Sequence, residues 1–308
     1  MIYIPNAALD PAYNQAFEAC AFELPLREDV FLVWRNRCAV VCGRYQNIFQ
    51  ETYLPAAAAC GAALIRRMTG GGCVYHDLGN VNYTWITSAR DGAREAIANR
   101  MIGALRGMGI PAEPMHSGGI AVEGRKVSGS ACRVANGRLL QHGTLLVDAD
   151  LVLLRRLANG HGERYQSRAI RSEPAPVGNL GGWLGGMTAE EFAARLVEAL
   201  APDALREPDP AFLSRARALA DARYRNWEWT FGNSPKFSFE KAFCWDGRPA
   251  RLEYAAERGV IRQISIDCAE RERLERALLD ARLDLSGLEA RLSGMLGARS
   301  REFIENMF

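Results

Sequence analysis

Three consecutive glycines, Gly70, Gly71 and Gly72, stand between segments that otherwise read as β-strand, and they restrict what the chain can build around them. A glycine run costs backbone entropy in any regular element, so it belongs where φ is positive or where something lies against bare peptide N–H groups. The surrounding stretch, Ile65 to Asn80, reads IRRMTGGGCVYHDLGN, and the arginines Arg66 and Arg67 beside the loop favour an anion. No Gly-Lys-Ser/Thr follows at Walker spacing and the glycines do not complete G-x-G-x-x-G, so neither familiar phosphate loop fits. Gly-Gly alone would equally mark a flexible turn; the arginines and the His76-Asp77 pair tip the balance to an anion-directed loop of another class.

With 308 residues the chain can bury a sizeable core and has length for two domains. Its 38 basic and 36 acidic residues leave a net charge of +2, which is no footprint for nucleic acid or a membrane surface, and neither is expected as a partner. The eight cysteines form neither C-x-x-C pairs nor the C…H spacing of a zinc site. They read as reduced core residues of a cytoplasmic protein with no resident metal, and CAVVC as a strand puts Cys38 and Cys42 on one face. The N-terminus, MIYIPNAALDP, lacks a basic region followed by an apolar stretch, and no run reaches the roughly 18 apolar residues of a membrane span.

Asp10-Pro11 is a helix cap followed by a first-turn proline, with Tyr13, Ala16, Phe17, Cys20 and Leu24 at helical spacing behind it. Strands are expected at 30–34 and 38–42, an Ala-rich helix at 52–60, and strands at AALIRR and NVNYTWI on either side of the glycine loop. A helix follows at 90–108. Period-two alternation then runs from 119 to 147 around Asn136-Gly137, a strong hairpin signal. After a helix at 149–158, residues 159–187 read as one long irregular connection. Thr188 to Glu191 is a capping box, and a further helix is expected at 210–223. A new β pattern then begins, with Phe237, Phe239, Phe243 and Trp245 on one face, an Asp246-Gly247 hairpin and two closing helices: a small α+β domain of about 80 residues.

Three groups can carry chemistry: the Arg67-Thr69-Gly70-Gly71-Gly72 loop, Lys126 among the small residues of EGRKVSGSA, and QHGTLL at 141–146. Peptide N–H donors, an arginine and a lysine together can hold a carboxylate beside a phosphate, and preorganised cations stabilise the charge that develops at phosphorus. The three suggest an acyl-adenylate site. Taken singly, Lys126 reads equally as a solvated turn lysine, His142 as a hydrogen-bonded core histidine, and His116 and His161 as plain surface.

RRMTGGGCVYHDLGN, EGRKVSGSACR and HGTLL, in that order, resemble the lipoate-protein ligases of the biotin/lipoate ligase superfamily. W-x-W-x-x-G-x-S-P-x-F at Trp227 to Phe237 is similar to the accessory domain of bacterial members. The resemblance implies an α+β fold: a catalytic domain over 1–224 with mixed β-sheets flanked by helices, and a small accessory domain over 225–308. It implies that lipoate and ATP, with Mg2+, give lipoyl-AMP, which a lysine of a lipoyl carrier domain then attacks. The carriers would be lipoyl domains of 2-oxoacid dehydrogenase complexes or the glycine cleavage H protein, and the enzyme a monomer. By position Lys126 would be catalytic, bridging the α-phosphate and the carboxylate. Arg67, Thr69, Gly70, Gly71 and Gly72 would line the acyl and phosphate pocket, continued by Cys73, His76 and Asn80. Ser128, Gly129, Ser130, Ala131, His142, Gly143 and Thr144 would form the opposite wall, Arg133 would brace the loop, and Arg171-Ser172 resembles a mobile segment that covers the adenylate.

One departure stands out: many ligases read Arg-Asn-Asp-Leu shortly before the lysine, whereas this chain has HSGGIAV, with Gly118 and Gly119 at the Asn-Asp place. A non-catalytic acyl or adenylate binder is the reading that departure favours. An octanoyltransferase of the same superfamily would need a cysteine near 113–119, and EPMHSGG has none; Cys73 reads as packing. The G-R-G-R-x-x-R-x-W loop of a biotin ligase is absent.

Overall fold

The computed structural model describes residues 1–115, 118–158 and 162–308, so His116 and His161 lie outside the described residues. Its strands are β1 (Ile2–Tyr3), β2 (Val30–Arg35), β3 (Ala39–Cys42), β4 (Ala63–Arg66), β5 (Val74–His76), β6 (Asn80–Ser88), β7 (Ala112–Pro114), β8 (Ile120–Val122), β9 (Arg125–Ser128), β10 (Ser130–Ala135), β11 (Arg138–Leu146), β12 (Tyr165–Ser167), β13 (Ala204–Leu205), β14 (Phe237–Trp245), β15 (Arg248–Glu257) and β16 (Val260–Asp267). The fold is α+β. A six-stranded mixed sheet has the order β10-β11-β6-β2-β1-β13, and two three-stranded sheets, β4-β3-β5 and β7-β8-β9, adjoin it in the chain. A four-stranded sheet follows the order β12-β14-β15-β16.

Alternation along β2 and β6 decides the layers, since successive side chains leave a strand on opposite faces. Phe31, Val33, Tyr83 and Trp85 point into an apolar core shared with Ile97, Met101 and Leu105 of the helix Ala93–Gly107 and with Phe192 and Leu196 of the helix Ala189–Leu200. On the opposite face the Trp34 indole donates to the Thr84 hydroxyl, and that hydroxyl donates to Glu18 of the helix Pro11–Phe22. Asp10 caps this helix through the Ala12 and Tyr13 amides, as its sequence predicts.

The chain forms two compact units, neither continuous in sequence. One comprises Met1–Arg44, Ala63–Leu154 and Ser172–Asn226; the other comprises Tyr45–Ala62, Arg155–Arg171 and Trp227–Phe308. In the second, Phe49 packs against Phe231 and Phe237, and β12 pairs with β14 through Tyr165 and Phe239. The stretch 159–187, which reads as irregular in sequence, contributes that strand together with single helical turns at Gly162–Arg164 and Gly181–Trp183. Asn136 and Gly137 have φ of 51° and 70°, the pair of positive values that a tight two-residue hairpin requires.

Candidate functional site

The glycine loop leaves β4 and enters β5 in the sheet β4-β3-β5, and the loop is built around Arg67. The Arg67 side chain is buried, and its guanidinium donates to the Val41 carbonyl at 2.9 Å, the Gly70 carbonyl at 2.5 Å, the Gly72 carbonyl at 2.7 Å and the Thr69 hydroxyl at 3.0 Å. These bonds turn loop carbonyls inward and bind the loop to β3. Burial pulls the guanidinium pKa below its ordinary value. Arg67 therefore shapes the loop from within. Arg66 is fully buried and donates to the Gly43 carbonyl at 2.8 Å.

The glycines of this region make room for the chain itself. A Cβ on Gly43 would overlap the Gly71 carbonyl, and one on Gly71, whose φ is +79°, would lie 3.1 Å from the Arg67 guanidinium and 3.5 Å from Ala131. A Cβ on Gly72 would lie 3.0 Å from the Ser172 hydroxyl, which accepts the Cys73 amide at 2.8 Å.

Behind the loop runs a buried polar chain. The Thr69 hydroxyl is 2.8 Å from His142 Nε2, and His142 Nδ1 is 2.8 Å from Glu18 Oε1, which also accepts from Thr84 at 2.6 Å. Because Arg67 donates to Thr69 Oγ1, the consistent assignment has Thr69 donating to His142 Nε2 and His142 Nδ1–H donating to Glu18. Glu18 has no exposed surface and is absent from the sequence-derived site. Nothing in NQAFEACAF separates it from an ordinary helix-face glutamate; the only local signal is its place among Ala16, Phe17, Ala19, Cys20 and Ala21, all buried.

HDLGN divides into anchor and wall. Asp77 accepts from the Gly79 and Asp150 amides, and Gly79 lies so close to Asp148 that no side chain fits there. His76 is buried and accepts from Asn36 Nδ2 at Nδ1, so Nε2 carries its proton, and that donor has no hydrogen-bond partner among the described residues. Burial, then the charge of Arg67, lowers the His76 pKa to about 3, so the ring is neutral at physiological pH. Asn80 Oδ1 is likewise buried without a partner among the described residues, while its amide nitrogen donates to Asn82.

Lys126 lies on β9, half-buried, and its stem runs over two glycines: a Cβ on Gly129 would be 3.3 Å from Lys126 Cε and one on Gly119 would be 3.7 Å from it. Its backbone is held by a strap, since Lys126 N–H donates to the Pro176 carbonyl at 2.8 Å and Gly178 N–H donates to the Lys126 carbonyl at 3.1 Å. This strap begins at Ser172, so one segment reaches both the glycine loop and the lysine strand. Gly118 has φ of +77° and its carbonyl accepts from the Ser130 hydroxyl at 2.8 Å; a Cβ there would lie 2.9 Å from that hydroxyl. The Gly118-Gly119 pair thus suits its surroundings sterically.

Gly129 and Thr144 exchange two hydrogen bonds, and Gly143 cradles the Tyr83 ring. Ser128 is buried beside the Tyr83 phenol, whose pKa burial pushes up to about 12. Ala131 faces Gly71, whereas Arg133, two residues along β10, is exposed. Thus Thr69, Gly70 to Cys73, Ala131 and His142 gather around Arg67, and Gly118, Gly119, Gly129, Ser130 and Thr144 gather around Lys126. No group of three or more His, Cys, Asp or Glu that could hold a metal occurs among the described residues. Gly118 and Gly119 supply no carboxylate at that place.

Residues 10–201 match the lipoyl protein ligase A/B catalytic domain family. The chain belongs to that family. Solved lipoate-protein ligases share its fold. Lipoate-protein ligase A bound with ATP is 22% identical, with 74% of this chain and 97% of that chain covered and a TM-score of 0.64. A bi-partite lipoate protein ligase from Thermoplasma acidophilum, studied with its E2 lipoyl domain, is 22% identical over 74% and 94% of the two chains, with a TM-score of 0.63. P. falciparum LipL1 in complex with lipoate is 20% identical over 99% and 97%, with a TM-score of 0.61.

Proposed function

We propose that this lipoyl protein ligase family member is an ATP-dependent lipoate-protein ligase. In its first step a lipoate carboxylate oxygen attacks the α-phosphorus of Mg–ATP, forming lipoyl-AMP as pyrophosphate leaves. In its second a carrier-domain lysine amine attacks the acyl carbonyl, an amide forms, AMP departs with the electron pair of the broken C–O bond, and the amine releases a proton. The carrier is a lipoyl domain of a 2-oxoacid dehydrogenase complex or the glycine cleavage H protein. The enzyme acts as a cytoplasmic monomer, with residues 1–224 catalytic and 225–308 accessory.

The observation that carries this reading is the course of Lys126 across Gly119 and Gly129, with its strand edge covered by the strap. A lysine so held is a fixed cation, the group that stabilises charge at phosphorus without reorganising during reaction. Its ammonium serves both the α-phosphate and the carboxylate oxygen, and the N–H donor of His76 serves a substrate acceptor. The glycine loop, kept in shape by Arg67, offers backbone donors, and the strap excludes water from the anhydride. ATP, lipoate and an E2 lipoyl domain accompany the related proteins described above, and the proposal assigns the same three classes here.

Intact mass of an apo lipoyl domain after incubation with the protein tests this. The expected result is one lipoyl amide, formed only when both ATP and free lipoate are present. Octanoyl transfer from an octanoylated carrier without ATP would instead make the protein a transferase.

A further inference from the structure

Two cysteines that the proposed chemistry does not use stand at the neck of the glycine loop: Cys42 follows directly on the paired residues of β3, and Cys73 directly precedes those of β5. β3 and β5 pair antiparallel with Ala39 opposite His76, Val40 opposite Tyr75 and Val41 opposite Val74. One further step in this register sets Cys42 opposite Cys73. The chains stay together beyond that point, because Gly43 lies against the Gly71 carbonyl and the Arg67 guanidinium spans the Val41 and Gly72 carbonyls. The Cys42 carbonyl accepts the Arg67 amide on the β4 side, and the Cys73 amide donates to Ser172. Both groups point outward from the β3–β5 edge, the arrangement of an antiparallel pair whose backbone groups are turned away from one another, where opposed Cα atoms lie about 4.5 Å apart and side chains approach closest. That separation is within the range a disulfide spans.

The surroundings favour reaction at this pair. Arg66 Nη1 is 3.9 Å from Cys42 Sγ, and the next residue, Arg67, brings a second buried guanidinium. Positive charge beside a thiol favours the thiolate, the form that attacks an oxidant. Cys73 is half-buried and Cys42 fully buried, which separates an outer attacking thiol from an inner resolving one.

We infer that Cys42 and Cys73 form a reversible oxidative modification site that takes a peroxide and closes as a disulfide across the neck of the glycine loop. The Cys73 thiolate attacks one peroxide oxygen, the S–O bond forms, the O–O bond breaks, and the departing hydroxide leaves as water. Cys42 sulfur then attacks Cys73 sulfur, the S–S bond forms, the S–O bond breaks, and the second oxygen leaves as water with the Cys42 proton. The thiol pair loses two electrons and the peroxide gains them. Transient disulfides of this kind are the usual ones in a reducing compartment. The bond would fix the loop at Cys73, next to the Gly72 carbonyl that Arg67 holds.

The test uses the full chain, reduced, freed of reductant and treated with hydrogen peroxide, then digested without reduction and mapped by mass spectrometry. A linked peptide pair joining Cys42 to Cys73, lighter by two hydrogens and separated by dithiothreitol, is expected. Cys42→Ala should form no such link and should leave Cys73 as a sulfenic acid trapped by dimedone. Wild-type protein whose Cys73 proceeds to sulfinic acid while Cys42 stays a free thiol would overturn the inference. So would a pair left untouched while exposed Cys60 and Cys244 are oxidised. Loss of adenylation on oxidation, and its return with dithiothreitol, rests on the ligase reading; a mapped link in a protein that never adenylates would count against that reading alone.

Discussion

At the residue scale, the site consists of a few polar groups made rigid by others behind them. Thr69, His142 and the glycines were legible in sequence because their motifs are local. Glu18 was not, because only the packing of the helix Pro11–Phe22 on β6 and β11 brings its carboxylate to His142. The role of Arg67 was legible as charge, but not its bonds to the loop's own Gly70 and Gly72 carbonyls, which depend on tertiary contacts. His76 gives this scale a pH dependence. Its folded pKa of about 3 lies below the ordinary 6.5, so between those values the unfolded chain binds a proton that the folded chain refuses. This contribution to stability is complete above about pH 6.5 and is lost as pH falls through the window toward about 3, at up to about 1.4 kcal/mol per pH unit. Replacing His76 by Gln should therefore shrink the difference in unfolding free energy between pH 7 and pH 5 by about 2 kcal/mol, measured by urea titration. An unchanged difference would mean that His76 titrates normally.

At the element scale, most helices and strands follow from capping and periodicity: Asp10 before Pro11, the Thr188–Glu191 box, and the two hairpins at Asn136-Gly137 and Asp246-Gly247 all stand where the sequence puts them. The period-two run at 119–147 was legible as β structure but not as belonging to two sheets, β7-β8-β9 and the six-stranded one. Alternation reports burial on one face and carries no information about which neighbour supplies the pairing. Equally illegible was the strap, whose prolines and glycines give no periodic signal although its backbone pairs with Lys126. Its contact with Gly72 is close enough to test. Gly72→Ala places a Cβ 3.0 Å from Ser172 Oγ and 3.3 Å from its Cβ, so the strap must give by a few tenths of an ångström. Hydrogen exchange of the Cys73 and Gly178 amides, which bond to Ser172 and Lys126, should speed by about tenfold in this variant with the β6 and β11 amides unchanged. Unaltered protection at both amides would show that the strap is not held through Gly72.

At the scale of the whole molecule, the second unit draws residues 45–62 and 155–171 into the same cluster as 227–308, an arrangement that sequence reading, which divides a chain at points along it, does not anticipate. A chain truncated after Asn226 would leave Phe49 without Phe231 and Phe237, and Tyr165 without Phe239. Limited proteolysis should then cut it within 45–62 and 155–171 at protease levels that spare the intact chain; resistance there would mean that these segments fold without their C-terminal partners. The departure at Gly118-Gly119 does not disturb the backbone, since the positive φ of Gly118 and its contact with Ser130 call for glycine. The central claim is that Lys126, fixed over Gly119 and Gly129, activates a carboxylate with ATP, and lipoate-dependent exchange of label between pyrophosphate and ATP measures that step directly. Exchange by the wild-type protein, falling by about two to three orders of magnitude in Lys126→Ala, is the predicted result; no exchange by the wild-type protein, or a variant within about tenfold of it, would contradict the account.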